Sequence, residues 1–299
     1  MKKIITLGIT LKDEHMKRLQ AQWDVEVLDG PESVEDFLHK TANADVIYSN
    51  GDYLLESLPK LKDVFVVYPY VELGAFNSEE LEKNNVFVAN SQGWNRNSII
   101  ERVMYMTLAL FRNFIPKVRT TENIPFALEE SLDKKKVLII GHGNIGSQIG
   151  SVCEAFGMEV IFFERGDNVL SKSEGADLII NALNCNTSTK NLLNEWFFMN
   201  VKKGAYYITF VRPYTYDIDG LIKAIDTGII AGVAIDCDPE EYGDTTNEFY
   251  MKALGNPKIL VTPHIAFATK QASENGREIA IQNIEAFCSG TPKNIVRKK

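Results

Sequence analysis

Residues 136–150 read KVLIIGHGNIGSQIG: a short β-branched run, three glycines in G-x-G-x-x-G spacing at Gly141, Gly143 and Gly146, and the first turns of a helix. An apolar run this short suits a strand buried on both faces, and a strand turning directly into a helix is half of a βαβ crossover, which demands a parallel sheet. The first glycine permits the tight turn, the second lets backbone approach a pyrophosphate, and the third allows the helix to pack closely. The amides of Asn144, Ile145 and Gly146 then open a helix N-terminus with free N–H groups and a positive dipole. The spacing predicts a dinucleotide site, with a plain strand–helix turn as the alternative.

The rest of the chain repeats that alternation. Ahead of the loop lie the runs KIITLG, VEVLD, DVIYS, DVFVVY and VFVAN; from the loop onward come VLII, EVIFF, DLIIN, AYYITF, IIAGVAID and KILVTP. Two series of strands with helical stretches between them imply an α/β protein of two parallel-sheet units. Residues 98–115 carry a helical pattern rich in Met, Leu and Ile, and residues 270–288 predict a final helix long enough to return to the first unit. With 299 residues, 45% of them hydrophobic, the chain has material for two cores. A cleft between two such units is the expected place for a ligand.

Charge and composition narrow the partners. A formal charge of −8 with acidic and basic residues dispersed argues against nucleic acid or an anionic membrane. No stretch approaches the roughly 20 apolar residues of a membrane helix, and the opening MKKIITLGIT is too short in its apolar run for a signal segment. Cys153, Cys185, Cys237 and Cys288 lie far apart without a C-x-x-C pair, which predicts neither a zinc site nor a disulfide framework and favours a cytoplasmic setting.

Some side chains carry the chemistry. EVIFF ends in Glu164, eighteen residues after Gly146, where a carboxylate accepts from ribose hydroxyls and repels a 2′-phosphate; this favours NAD, while Arg165 next to it keeps NADP open. Of four histidines, His15 and His39 lie in polar helical stretches that read as surface, His142 lies inside the glycine loop, and His264 falls just past the strand KILVTP. Arg212 ends the strand in ITFVRP; a guanidinium among core residues needs a carboxylate partner, either from a ligand or from Asp217 within the chain.

Arg212, Asp236, Glu241 and His264 all follow successive strands, and the motifs around them, FVRP, GVAID with Glu241 five residues on, NPKILVTPH and, earlier, NSQGWNRNSIIE, resemble the D-isomer-specific 2-hydroxyacid dehydrogenase family over nearly the whole chain. The resemblance implies two Rossmann-like or flavodoxin-like domains: residues 1–95 plus 271–299 for substrate, and an inserted NAD-binding domain at 96–270. It also implies a homodimer to which the helix from Ser98 contributes.

Hydride transfer between NAD(H) and a small 2-hydroxy or 2-oxo acid is the implied reaction. Arg212 would hold the substrate carboxylate, and His264 would exchange a proton with the C2 oxygen while Glu241, or Glu240 if the register shifts by one, pairs with its ring. Asp236, Asn184 and Thr209 would lie near the cofactor, and Val71, Glu72 and Leu73 would contact substrate. Two departures touch substrate identity: Tyr70 and Glu72 stand where the family has glycines, and Pro213 removes an N–H after the arginine. They keep two alternatives in view, an NADH-sensing corepressor-like protein on the same fold and a dehydrogenase of another small anion such as formate or phosphite.

Overall fold

The computed structural model describes residues 1–71, 76–124, 126, 128–237 and 243–297, with the side chains of Ile115, Pro116 and Arg119 left aside. Its strands are β1 (Lys3–Leu7), β2 (Asp24–Leu28), β3 (Val46–Ser49), β4 (Val64–Tyr68), β5 (Val86–Asn90), β6 (Lys136–Ile140), β7 (Glu159–Phe163), β8 (Leu178–Asn181), β9 (Ala205–Thr209), β10 (Ile230–Cys237) and β11 (Ile259–Pro263). They divide between two compact units, Met1–Asn95 with Thr269–Lys299, and Arg96–Ala268. Thr269 falls with the first because its side chain accepts from Ala272 N (3.1 Å) as the cap of the final helix, Lys270–Cys288.

The first unit holds a sheet of order β2-β1-β3-β4-β5 and the second one of order β11-β10-β9-β8-β6-β7, with every pairing parallel. In each, the first crossover runs one way and the next runs the other, so the strand order reverses between β1 and β3 and between β6 and β8. Open α/β sheets bind ligands outside the carboxyl ends of strands at such a reversal.

The sequence explains which strands are central. β3 (VIYS) and β8 (LIIN) are buried at every position, as unbroken apolar runs should be, whereas the edge strand β2 (DVEVL) is partly exposed throughout. Alternation still sorts side chains between the faces: Val64 and Val66 of β4 pack with Phe37, Leu54 and Leu81, while Phe65 and Val67 pack with Ala280, Ile281 and Ile284 of the final helix. Burying side chains of this size contributes ~1.5–3 kcal/mol each before entropy is set against it.

Two local readings change. His15, expected at the surface, is 5% exposed, because it shares a helix face with the buried Leu19; its Nε2 lies 3.4 Å from Glu278, and Arg18 bridges Glu278 and Glu285. The helix expected over 98–115 spans Arg96–Phe111 and stops where Asn113 adopts φ +43, after which a short helix Phe114–Arg119 begins. Asparagine tolerates that left-handed geometry and so serves as a helix stop.

Candidate active site

The glycine loop leaves β6 at the reversal point of the second sheet, and the three glycines are needed for different reasons. At Gly141, φ is +117° and a Cβ would meet the Ala182 carbonyl oxygen at 2.4 Å; at Gly146 it would meet the Gly141 oxygen at 1.9 Å. Both pack backbone against backbone. Gly143 differs, since its φ is −86° and a Cβ there meets nothing within 4 Å. Its glycine keeps space open rather than relieving a clash inside the chain. The helix Asn144–Ala155 that follows has no acidic residue in its first turn, and no side chain caps its N-terminus. Its leading N–H groups and dipole therefore face an open cradle suited to a diphosphate.

At the neighbouring strand end, the Glu164 side chain is 63% exposed. The turn behind it is fixed, because Glu164 N donates to Asp167 Oδ2 (2.9 Å) and Asp167 N donates to the Glu164 carbonyl (3.1 Å). Nδ1 of His142 lies 2.6 Å from Glu164 Oε1, and the imidazole stacks on Phe162 with centroids 3.9 Å apart.

The remaining cofactor candidates fall on adjacent strand ends. Asn181 closes β8 fully buried, donating to Tyr207 Oη (3.2 Å), Thr209 Oγ1 (3.3 Å) and Thr215 Oγ1 (2.9 Å), and its own Oδ1 accepts from Leu183 N (3.2 Å). Thr209 thus sits inside a hydrogen-bonded network, whereas Asn184 is exposed and its carbonyl accepts from Thr189 Oγ1 (2.7 Å). Sequence reasoning passed over Asn181; the signal was a polar residue ending the apolar run DLIIN.

Asp236 has a more specific task. It is 2% exposed, and its carboxylate accepts from Thr262 Oγ1 (2.5 Å), Ile265 N (3.0 Å) and Ala266 N (2.8 Å). A charged acceptor with three short donors is worth roughly 1.5–3 kcal/mol per bond, and burial makes losing any one of them costly. The turn Thr262–Ala266 is thereby clamped to the sheet, and His264 at its centre is held at φ +53°, an uncommon conformation for a non-glycine residue. Its ring meets Phe267 edge to face at 5.6 Å. Gly243 N donates to the Pro263 carbonyl (3.0 Å) beside it. Glu240 and Glu241 lie outside the described residues.

Arg212 is exposed at the end of the segment after β9, and its carbonyl accepts from Thr215 N (3.2 Å). Asp217 caps the helix Ile218–Asp226, accepting from Asp219 N at 3.0 Å. Pro213 opens a short 3-10 turn, where a missing N–H costs nothing.

In the first unit, Asn90 Nδ2 donates to the Val71 carbonyl (2.9 Å), Ser91 N donates to the Tyr70 carbonyl (3.0 Å), and Ser91 Oγ donates to the Gly276 carbonyl (3.1 Å). The segment entering residue 71 is so pinned by the start of the NSQGWN motif. Tyr70 lies 5.6 Å from both Tyr68 and Trp94. Glu72 and Leu73 lie outside the described residues.

Comparison with known proteins bears on this geometry. Residues 104–266 match the family model described as D-isomer specific 2-hydroxyacid dehydrogenase, NAD binding domain. The chain belongs to the D-isomer specific 2-hydroxyacid dehydrogenase family. It is 32% identical to a D-3-phosphoglycerate dehydrogenase of Haemophilus influenzae over 64% of this chain and 51% of that one, so the match spans about half of that relative. It is 28% identical to a D-lactate dehydrogenase of Staphylococcus epidermidis over 74% and 75% of the two chains. The fold matches the NAD-complexed D-isomer specific 2-hydroxyacid dehydrogenase of Lactobacillus delbrueckii ssp. bulgaricus with a TM-score of 0.81, at 20% identity over 99% and 100% of the chains. Like the family, this chain is an NAD-dependent oxidoreductase, and the glycine loop, its open cradle and Glu164 belong to the matched NAD-binding domain.

Proposed function

We propose that the chain reduces a small 2-oxo acid to its D-2-hydroxy acid, or catalyses the reverse, with His264 as proton carrier. The observation that supports this most is the His264 turn, which a buried carboxylate clamps in a left-handed conformation at the same strand ends as the glycine loop. Groups that exchange protons need fixed geometry more than they need relaxed backbone.

The Gly143 cradle and the helix N-terminus would hold the diphosphate, with Glu164 on the adenosine ribose and Thr209 and Asn184 nearby. When bound, the nicotinamide supplies or takes the hydride at C2. Arg212 pairs its guanidinium with the substrate carboxylate, while Asp217 caps the helix Ile218–Asp226. His264 donates a proton to the developing alkoxide in reduction and takes it from the hydroxyl in oxidation, and Glu241 pairs with the imidazole. Asp236 acts through the turn it clamps, and Val71, Glu72 and Leu73 contact the substrate.

We assign a homodimer in the cytoplasm. The helix Arg96–Phe111 leaves Tyr105 and Leu108 exposed, and Phe114, Val118, Phe126 and Leu128 after it are exposed as well. Among the described residues no helix is long and apolar enough to cross a membrane, and no group of His, Cys, Asp and Glu could hold a metal.

The test is a screen of NADH oxidation with purified protein against glyoxylate, pyruvate, hydroxypyruvate, phosphohydroxypyruvate and longer 2-oxo acids. Turnover with one of these supports the reading. Tight NADH binding without turnover of any acid overturns it in favour of a cofactor-sensing protein.

A further inference from the structure

The reaction scheme leaves one residue of the glycine loop unexplained. His142 stands between Gly141 and Gly143, a position that the G-x-G-x-x-G spacing leaves free, and its ring reaches across to the neighbouring strand end. We propose that His142 sets the cofactor preference of this chain by holding the Glu164 carboxylate in position for the adenosine ribose. The inference rests on reading the loop as the cofactor site.

Two contacts fix the ring, and a third holds its floor in place. It lies on Phe162, centroids 3.9 Å apart and planes 15° from parallel, so it has a floor. Phe162 has little room to move, because a Cβ at Gly150 would meet its Cζ at 2.5 Å; the aromatic occupies the space that a fourth glycine leaves in the helix Asn144–Ala155. Nδ1 stands 2.6 Å from Glu164 Oε1. A carboxylate accepts at that distance, so Nδ1 carries the hydrogen.

The consequence concerns Glu164. Its backbone is already tied by Asp167, whose own carboxylate lies 3.3 Å from Lys172 Nζ. The side chain, exposed and with three rotatable bonds, would otherwise sample many rotamers and lose that freedom on meeting the cofactor. The imidazole removes the freedom in advance, which is preorganisation. One Nδ1–H uses a fraction of the roughly four acceptor positions of a carboxylate, leaving capacity for two ribose hydroxyls. A carboxylate fixed there also repels a 2′-phosphate. Released, it can swing aside, and exposed Arg165 next to it becomes the nearest cation for that phosphate. His142 is thus a positioning residue for selectivity and takes no part in proton transfer to the substrate.

Dissociation constants of NADH and NADPH, measured by fluorescence titration on the full chain, test this with His142→Phe, Glu164→Gln and the double variant. His142→Phe keeps the stack on Phe162 and removes the donor. It is expected to weaken NADH by about three- to tenfold, the cost of freezing one flexible side chain on binding, while NADPH holds or tightens. In the Glu164→Gln background the same change should alter the NADH to NADPH ratio by less than about twofold, since the carboxylate it positions is gone. Equal weakening of both cofactors, or full additivity of the two substitutions, overturns the proposal by showing that His142 only supports the loop. Failure of the unmodified chain to bind either cofactor instead overturns the reading of the loop itself.

Discussion

The two sheets are alike at their N-terminal ends and unlike at their C-terminal ends. In the first, Asp45 precedes β3 and accepts from Lys3 N at 2.7 Å; in the second, Asp177 precedes β8 and accepts from Lys136 N at 2.9 Å. The backbone repeats the match, with Asp45 N on the Lys3 carbonyl (2.9 Å) and Asp177 N on that of Lys136 (2.8 Å). At the other end, β1 leads through Gly8 to a helix whose first turn carries Asp13 and Glu14, whereas β6 leads through Gly141 and Gly143 to a helix with no acid in its first turn. Carboxylates there satisfy the helix dipole and repel an anion; their absence leaves the dipole for a ligand. Equivalent strand order therefore does not give an equivalent anion cradle. The turn after the first strand is where the two differ.

The sharpest way to break this contrast is at His264, on the C-terminal edge of the second sheet. His264→Ala should reduce turnover by roughly 10²- to 10⁴-fold, the range for a positioned proton donor, with NADH binding retained; stopped-flow and equilibrium titration separate the two. Unchanged turnover would remove the proton carrier from that edge.

Giving the second unit the acid of the first is the next largest change. Gly143→Asp fits sterically, since nothing lies within 4 Å of its Cβ and φ is −86°, so the fold should persist. NADH affinity should fall at least about tenfold as a carboxylate meets the diphosphate. Removing acid from the first unit, as Asp13→Asn with Glu14→Gln, should leave NADH affinity within about twofold. A comparable loss there would mean that both helix termini bind anions.

The smallest effects test the shared N-terminal device. Burial works to raise the Asp177 pKa, but the Lys202 ammonium and the Lys136 amide outweigh it, and the carboxyl sits below its ordinary value. Its contribution is then fully present above about pH 3.9 and is lost as pH falls through the lower folded-state value. Asp177→Asn should lose about 1–3 kcal/mol at neutral pH, and the deficit should shrink on acidification through that window. Asp45→Asn, at an exposed position with the amide as its partner, should cost less. Chemical denaturation at pH 7 and pH 3 measures both.

Much of this architecture was legible in the sequence. All eleven strand runs are strands, the central ones written as the unbroken apolar segments of sheets covered on both faces, and the final helix spans Lys270–Cys288. The glycine spacing located the cradle, since Gly141 and Gly146 each answer a steric demand and Gly143 leaves the space beside them open. Pairings between distant segments were less readable. His15 read as surface because DEHMKRLQ is polar, although one face of that helix is buried. Asp236 was expected beside a cofactor, but its clamp on Ile265 and Ala266 depends on a register between β10 and β11 that composition does not encode. The bond from His142 to Glu164 crosses from one strand end to the next in the same way.

The left-handed turn at His264 sets chemistry and durability against each other at one position. Histidine at φ +53° carries a conformational cost of about 1–2 kcal/mol that asparagine escapes in large part. His264→Asn should therefore melt at a higher temperature than the parent while losing turnover. Selection for robustness alone would replace this residue; under the proposed role, the proton carrier keeps its place at the expense of a less durable fold.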